Sequence, residues 1–150
     1  MIVEQDFIDF ITLLNKYKVE YMIVGAHALA YHGRPRHTGD LDIWIKSSEK
    51  NAQKMLQVIA QFGFASLGLK QEDFTRDNYV TQLGYPPLRI DILTAISGVE
   101  FDDAYANRIN AEIDDLKTPF INIQDFIANK KASGRKKDLG DIEALKRKKS

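Results

Sequence analysis

Between Val24 and Ile45 the chain reads VGAHALAYHGRPRHTGDLDIWI: an apolar strand end, a glycine turn, a short helix and a second strand bearing two aspartates. No other stretch restricts the fold as much. Tyr21–Val24 is a short apolar run that reads as a buried strand, and Gly25 permits the sharp turn into a helix over residues 26–32. Gly33 and Pro35 end that helix, because glycine suits a left-handed cap and proline disfavours helix in the residue before it. In the strand that follows, the side-chain period of two puts Asp40, Asp42 and Trp44 on one face and Leu41, Ile43 and Ile45 on the other. One face builds core. The other carries two carboxylates that can hold one divalent cation or bridge two, and hard oxygen donors favour magnesium or manganese.

A third acid has the same setting. Residues 88–93 read LRIDIL, a strand with Ile90 and Ile92 turned inward and Arg89 and Asp91 on the opposite face. Pro86 and Pro87 force an extended approach to it. Arg89 reads as a charge partner that keeps the acids from repelling one another. Close carboxylates raise each other's pKa, so cation binding at such a cluster should release protons.

The remaining chain supplies the frame. Phe7, Phe10, Ile11 and Leu14 recur at helical spacing over residues 4–17. Ser47 or Ser48 is a good cap for a helix over residues 50–62 with Met55, Leu56 and Ile59 on one stripe, closed by Gly63. Residues 64–80 show only short strand-like pieces broken by a polar turn. Strand character returns near residues 108–113, and an edge segment follows at 119–121. Two helical pieces, residues 123–132 and 137–148, flank Ser133, Gly134 and Arg135.

A chain of 150 residues is one ordinary domain, able to bury roughly 68–70% of its unfolded surface. The lack of cysteine excludes disulfides, thiolate metal sites and a cysteine nucleophile and suits a cytoplasmic protein. The longest weakly polar run, between Tyr21 and Tyr31, is broken by Gly25 and His27, and a spanning helix needs about 20 apolar residues, so no membrane contact is expected. The zero net charge hides an asymmetry: residues 130–150 carry nine Lys/Arg against three Asp/Glu, leaving 12 against 18 in the rest. The basic tail at residues 146–149 lacks interleaved aromatics for base stacking, which argues against a simple RNA binder. His27, His32 and His37 read as packing or solvent contacts rather than as a metal triad.

The order glycine turn, Asp-x-Asp strand, later single-Asp strand resembles the DNA polymerase β-like nucleotidyltransferases. Arg36, Thr38, Asp40 and Asp42 match the Arg-x-Thr-x-Asp-x-Asp pattern of the minimal bacterial type, similar to the AbiEii-like toxin enzymes. Lys130, Gly134, Arg135, Lys137, Asp138 and Asp141 are similar to the ending of that branch. The resemblance implies an α/β (α+β) fold, a small mixed twisted sheet with helices mainly on one side, as a single domain over residues 1–150 with basic C-terminal helices from about 122. It implies transfer of a nucleoside monophosphate from an NTP to an acceptor hydroxyl with release of pyrophosphate. Asp40, Asp42 and Asp91 would hold Mg2+ or Mn2+, with Asp91 the general base. Gly25, Ala26, Arg36, Thr38, Lys130, Arg135 and Lys137 would contact the nucleotide, with Asp138 and Asp141 holding those cations in place. Where the family usually has Gly or Ser, Ala26 offers backbone donation without a hydroxyl. The acceptor stays open among RNA (tRNA ends in particular), a protein side chain and a small hydroxylated molecule. A toxin–antitoxin setting would add a cognate antitoxin or neighbour protein. The alternative is a non-catalytic module of the same fold that senses nucleotide or binds a partner.

Overall fold

The computed structural model describes residues 4–33, 39–85, 88–135, 139, 140, 142, 143 and 145. Helix α1 (Gln5–Lys16) leads into strand β1 (Tyr21–Val24), which runs directly into helix α2 (Gly25–Tyr31). Strand β2 (Asp40–Ile45), helix α3 (Glu49–Phe62), strands β3 (Val80–Tyr85) and β4 (Leu88–Leu93), helix α4 (Phe101–Ala106), strands β5 (Ile109–Ile113) and β6 (Leu116–Phe120), and helix α5 (Ile123–Ser133) follow. The six strands form one mixed sheet in the order β3-β4-β2-β1-β6-β5, parallel at β2–β4 and β1–β6 and antiparallel elsewhere.

Amphipathic spacing places the helices. Phe7, Phe10, Ile11 and Leu14 of α1 are all buried, as their periodicity predicts, and α1 packs on α3. Tyr21 stands opposite Ile45 in the β1–β2 ladder, and its hydroxyl donates to Asn15 of α1 at 2.8 Å. The aliphatic face of β2 is therefore the α1 side of the sheet. On the other face Trp44 meets Phe101 of α4 edge-on, with ring centroids 5.1 Å apart. The upper part of that second face holds the aspartates.

Helix ends follow local chemistry. The Ser48 hydroxyl accepts from the Asn51 amide at 3.2 Å, and Gly63 closes α3 in the left-handed region at φ 103°. Asn122 caps α5 through the Asp125 amide at 2.8 Å. Asn51, fully buried, accepts from the Glu20 amide and donates to the carbonyls of Glu20 and Lys46, tying the start of β1 to the end of β2.

Three sequence expectations change. The segment at 119–121 is not an edge: β6 lies between β1 and β5, and the edges are β3 and β5. Pro119 is tolerated because the β1–β6 register pair, Ile23 with Phe120, begins at the next residue. Residues 64–85 hold two short 3-10 turns, Ala65–Leu67 and Gln71–Phe74, before edge strand β3, and only Phe74 of those turns is buried. Helix α4 has no counterpart in the sequence pattern, since six residues are too few to display a helical period. In the second C-terminal piece, Ile142 and Leu145 are buried. Among the described residues no helix is long and apolar enough to cross a membrane.

Candidate active site

Register brings the three acids together. In the parallel β2–β4 ladder Asp42 stands beside Asp91, and Asp40 stands beside Arg89. Both strands turn these residues to the same face, so three carboxylates and one guanidinium form a two-by-two array. Arg89 grips two of the acids: its Nε donates to Asp91 Oδ1 at 3.0 Å, and its Nη2 donates to Asp91 Oδ2 and Asp40 Oδ2, both at 3.2 Å. The Asp91 side chain is 11% exposed and that of Asp40 44%. The hydrogen bond to Asp91, and then the Asp91 charge, raise the Arg89 pKa further, so it is a permanent cation.

Asp42 is the strained member. Burial first, then the charges of Asp91 and Asp40 and a hydrogen bond with Asp91, push its pKa from the ordinary 3.8 up to about 6, against the opposing pull of Lys130. Lys130 of α5, whose charge exerts that pull, holds its ammonium 5.3 Å from the centre of the Phe126 ring.

Gly25 has a second reason to be glycine. Its φ is +67°, a conformation L residues rarely adopt, and a Cβ there would overlap the Asp42 carboxylate, with Cγ at 2.9 Å. The turn that opens α2 thus packs directly on the central acid. Ala26 follows as the second residue of α2. His27, two residues on, is buried with its ring edge-on to Phe7 at 5.4 Å. Burial lowers its pKa, the Asp40 charge works in the opposite sense, and its Nε2 has no hydrogen-bond partner among the described residues. His32 Nε2 donates a hydrogen bond to the Ile121 carbonyl at 2.7 Å.

Arg135 follows the Gly134 cap of α5 and is exposed, with its carbonyl accepting from the Leu139 amide at 3.0 Å. Arg36, Thr38, His37, Lys137, Asp138 and Asp141 lie outside the described residues. Arg89 is a partner of the acids, as its place beside Asp91 predicts, and it also spans two strands by reaching Asp40. Gly25 reads in the sequence as a turn and a nucleotide contact, and the room it leaves for Asp42 is seen only in the structure. Neither contact has a local signal, because both depend on which strands pair.

The donor set fits a hard divalent cation, since it consists of carboxylate oxygens on neighbouring strands with a cationic group already bonded to two of them. Among the described residues no three acidic, imidazole or thiol side chains converge as a metal cage. Asp40, Asp42 and Asp91 are the residues that would hold such an ion.

A mixed sheet with a glycine turn packed on an Asp-x-Asp strand, and a third acid in register beside it, is an arrangement of the nucleotidyltransferase class. The chain belongs to the family described as nucleotidyltransferase of unknown function (DUF6036), whose model matches residues 5–147. Among solved structures it is similar to a protein assigned as a nucleotidyltransferase (TM1012) from Thermotoga maritima, with a TM-score of 0.60 at 15% identity, over 94% of this chain and 88% of that one. It is also similar to the lincosamide antibiotic adenylyltransferase LnuA in its lincomycin-bound form, with a TM-score of 0.58 at 17% identity, over 97% of each chain. At these identities the likeness is one of fold. No curated protein matches the sequence.

Proposed function

We propose that this protein transfers a nucleoside monophosphate from an NTP to an acceptor hydroxyl, using Mg2+ or Mn2+ held by Asp40, Asp42 and Asp91. The observation that carries this reading is the pairing of Asp42 with Asp91 on adjacent parallel strands. When bound, the divalent ion would neutralise charge on the α-phosphate and the departing pyrophosphate and lower the pKa of the attacking hydroxyl. Asp91 takes the proton of that hydroxyl as its oxygen bonds to the α-phosphorus and the bond to pyrophosphate breaks. The Gly25 and Ala26 amides at the opening of α2 and the ammonium of Lys130 attract the triphosphate. Arg135, with Arg36, Thr38 and Lys137, belongs to the same proposed contact set through the family pattern.

The acceptor is a hydroxylated molecule. LnuA is by name an antibiotic adenylyltransferase, so small hydroxylated compounds head the screen, with tRNA ends and protein side chains after them. The AbiEii-like resemblance adds a cytoplasmic toxin–antitoxin setting as part of the proposal.

Calorimetry with each of the four NTPs, with and without Mg2+, tests the donor site. Mg2+-dependent binding that Asp42→Ala abolishes, followed by transfer of an α-labelled nucleotide to an acceptor, is the expected result. A folded wild type that binds no NTP would overturn the proposal in favour of a partner-binding module.

A further inference from the structure

We propose that Arg89 is a resident counter-ion which competes with the divalent cation for Asp40 and Asp91, holding the acids in its absence and rotating towards solvent when it binds. The inference rests on the metal-binding reading above and concerns a positioning residue rather than a catalytic one.

Geometry supports it in three ways. The guanidinium binds both oxygens of Asp91 and one of Asp40, so it already engages oxygens of two of the three carboxylates that would hold the ion. It is borne by β4 itself, two residues from Asp91 and opposite Asp40 in the ladder. Its departure therefore requires side-chain rotation alone and no strand movement. The Arg89 side chain is 28% exposed, so solvent is within reach of the rotated group.

Charge supplies the reason to move. With three ionised acids against the Arg89 guanidinium and the Lys130 ammonium that acts on Asp42, the array is still net negative, a state that attracts a dication. Once a dication sits among the carboxylates, the guanidinium beside it is repelled at short range. The two cations thus alternate. Asp42 stands beside Asp91 in the ladder and, among the described residues, receives no hydrogen bond from Arg89, so it offers the ion its first carboxylate.

The test is Mn2+ binding by calorimetry at pH 8, without nucleotide, to wild type, Arg89→Lys, Arg89→Gln and Asp42→Asn, with melting temperatures recorded in chelator and in Mn2+. Arg89→Gln should bind Mn2+ at least fivefold tighter than wild type. It should melt lower in chelator and recover most of the loss in Mn2+, with Arg89→Lys intermediate. Equal or weaker Mn2+ binding by a folded Arg89→Gln, alongside wild-type binding that Asp42→Asn removes, overturns this inference and leaves the metal site standing. Absence of Mn2+ binding in every variant overturns both. Should Arg89→Gln not fold, the Arg89 Nε–H resonance of the wild type decides: it should shift on Mg2+ saturation, and an unchanged resonance in the ion-bound protein rejects the exchange.

Discussion

The carboxylate of Asp42 occupies the space that a side chain on Gly25 would fill. Gly25→Ala must both strain a backbone at φ +67° and displace the central acid. The substitution should cost about 2 kcal/mol in urea unfolding and abolish Mg2+-dependent NTP binding even at temperatures where the variant is folded. Wild-type NTP affinity in a folded Gly25→Ala protein would count against the contact.

Stability should depend on pH through Asp42. Its folded pKa of about 6 lies above the ordinary 3.8, so between those values the native state holds a proton that the unfolded chain has lost. Stability from this group is present at low pH, falls as pH rises through that window, and is flat above it. Asp42→Asn removes the buried charge. The variant should therefore exceed wild type by on the order of 3 kcal/mol at pH 8, with the gap closing towards pH 4, in paired urea melts without divalent ions.

Lys130 acts on the same group from α5, lowering its pKa. Lys130→Ala should move the Asp42 titration, followed by carboxyl-carbon NMR, to higher pH, and weaken NTP binding by roughly tenfold. An unmoved titration would separate the lysine from the acid cluster.

Asp91→Asn retains the size of the side chain and removes the proposed proton acceptor. Nucleotide transfer should fall about 10^2- to 10^4-fold while the protein stays folded. Full turnover by the variant would remove Asp91 from the chemistry.

Away from the site, Asn51 makes three bonds to backbone groups of Glu20 and Lys46. Asn51→Ala leaves those groups without their buried partner. It should cost about 2–4 kcal/mol in urea unfolding, with little change in NTP affinity at a temperature where the fold survives.

What could be read from the residues was what repeats locally. The alternation in DLDIWI and LRIDIL assigned Asp42 and Asp91 to polar faces, and the helical spacing of Phe7, Phe10, Ile11 and Leu14 found a buried helix. The position of β6 inside the sheet was hidden, because Pro119 carries a local signal for an edge while strand order is decided by distant pairing. The stretch between α3 and β3 lacks a period because only Phe74 of its two 3-10 turns is buried. The grip of Arg89 on Asp40 joins residues 49 apart, a relation that only the β2–β4 register creates.

That separation bears on how the domain assembles. Asp40 and Asp42 leave the ribosome well before β4, and the closing of the long connection between them is entropically uphill until the parallel ladder forms. Docking a second acidic strand would ordinarily meet electrostatic resistance at that step. Because β4 delivers Arg89 together with Asp91, the incoming strand brings its own neutraliser to the central pairing of the sheet.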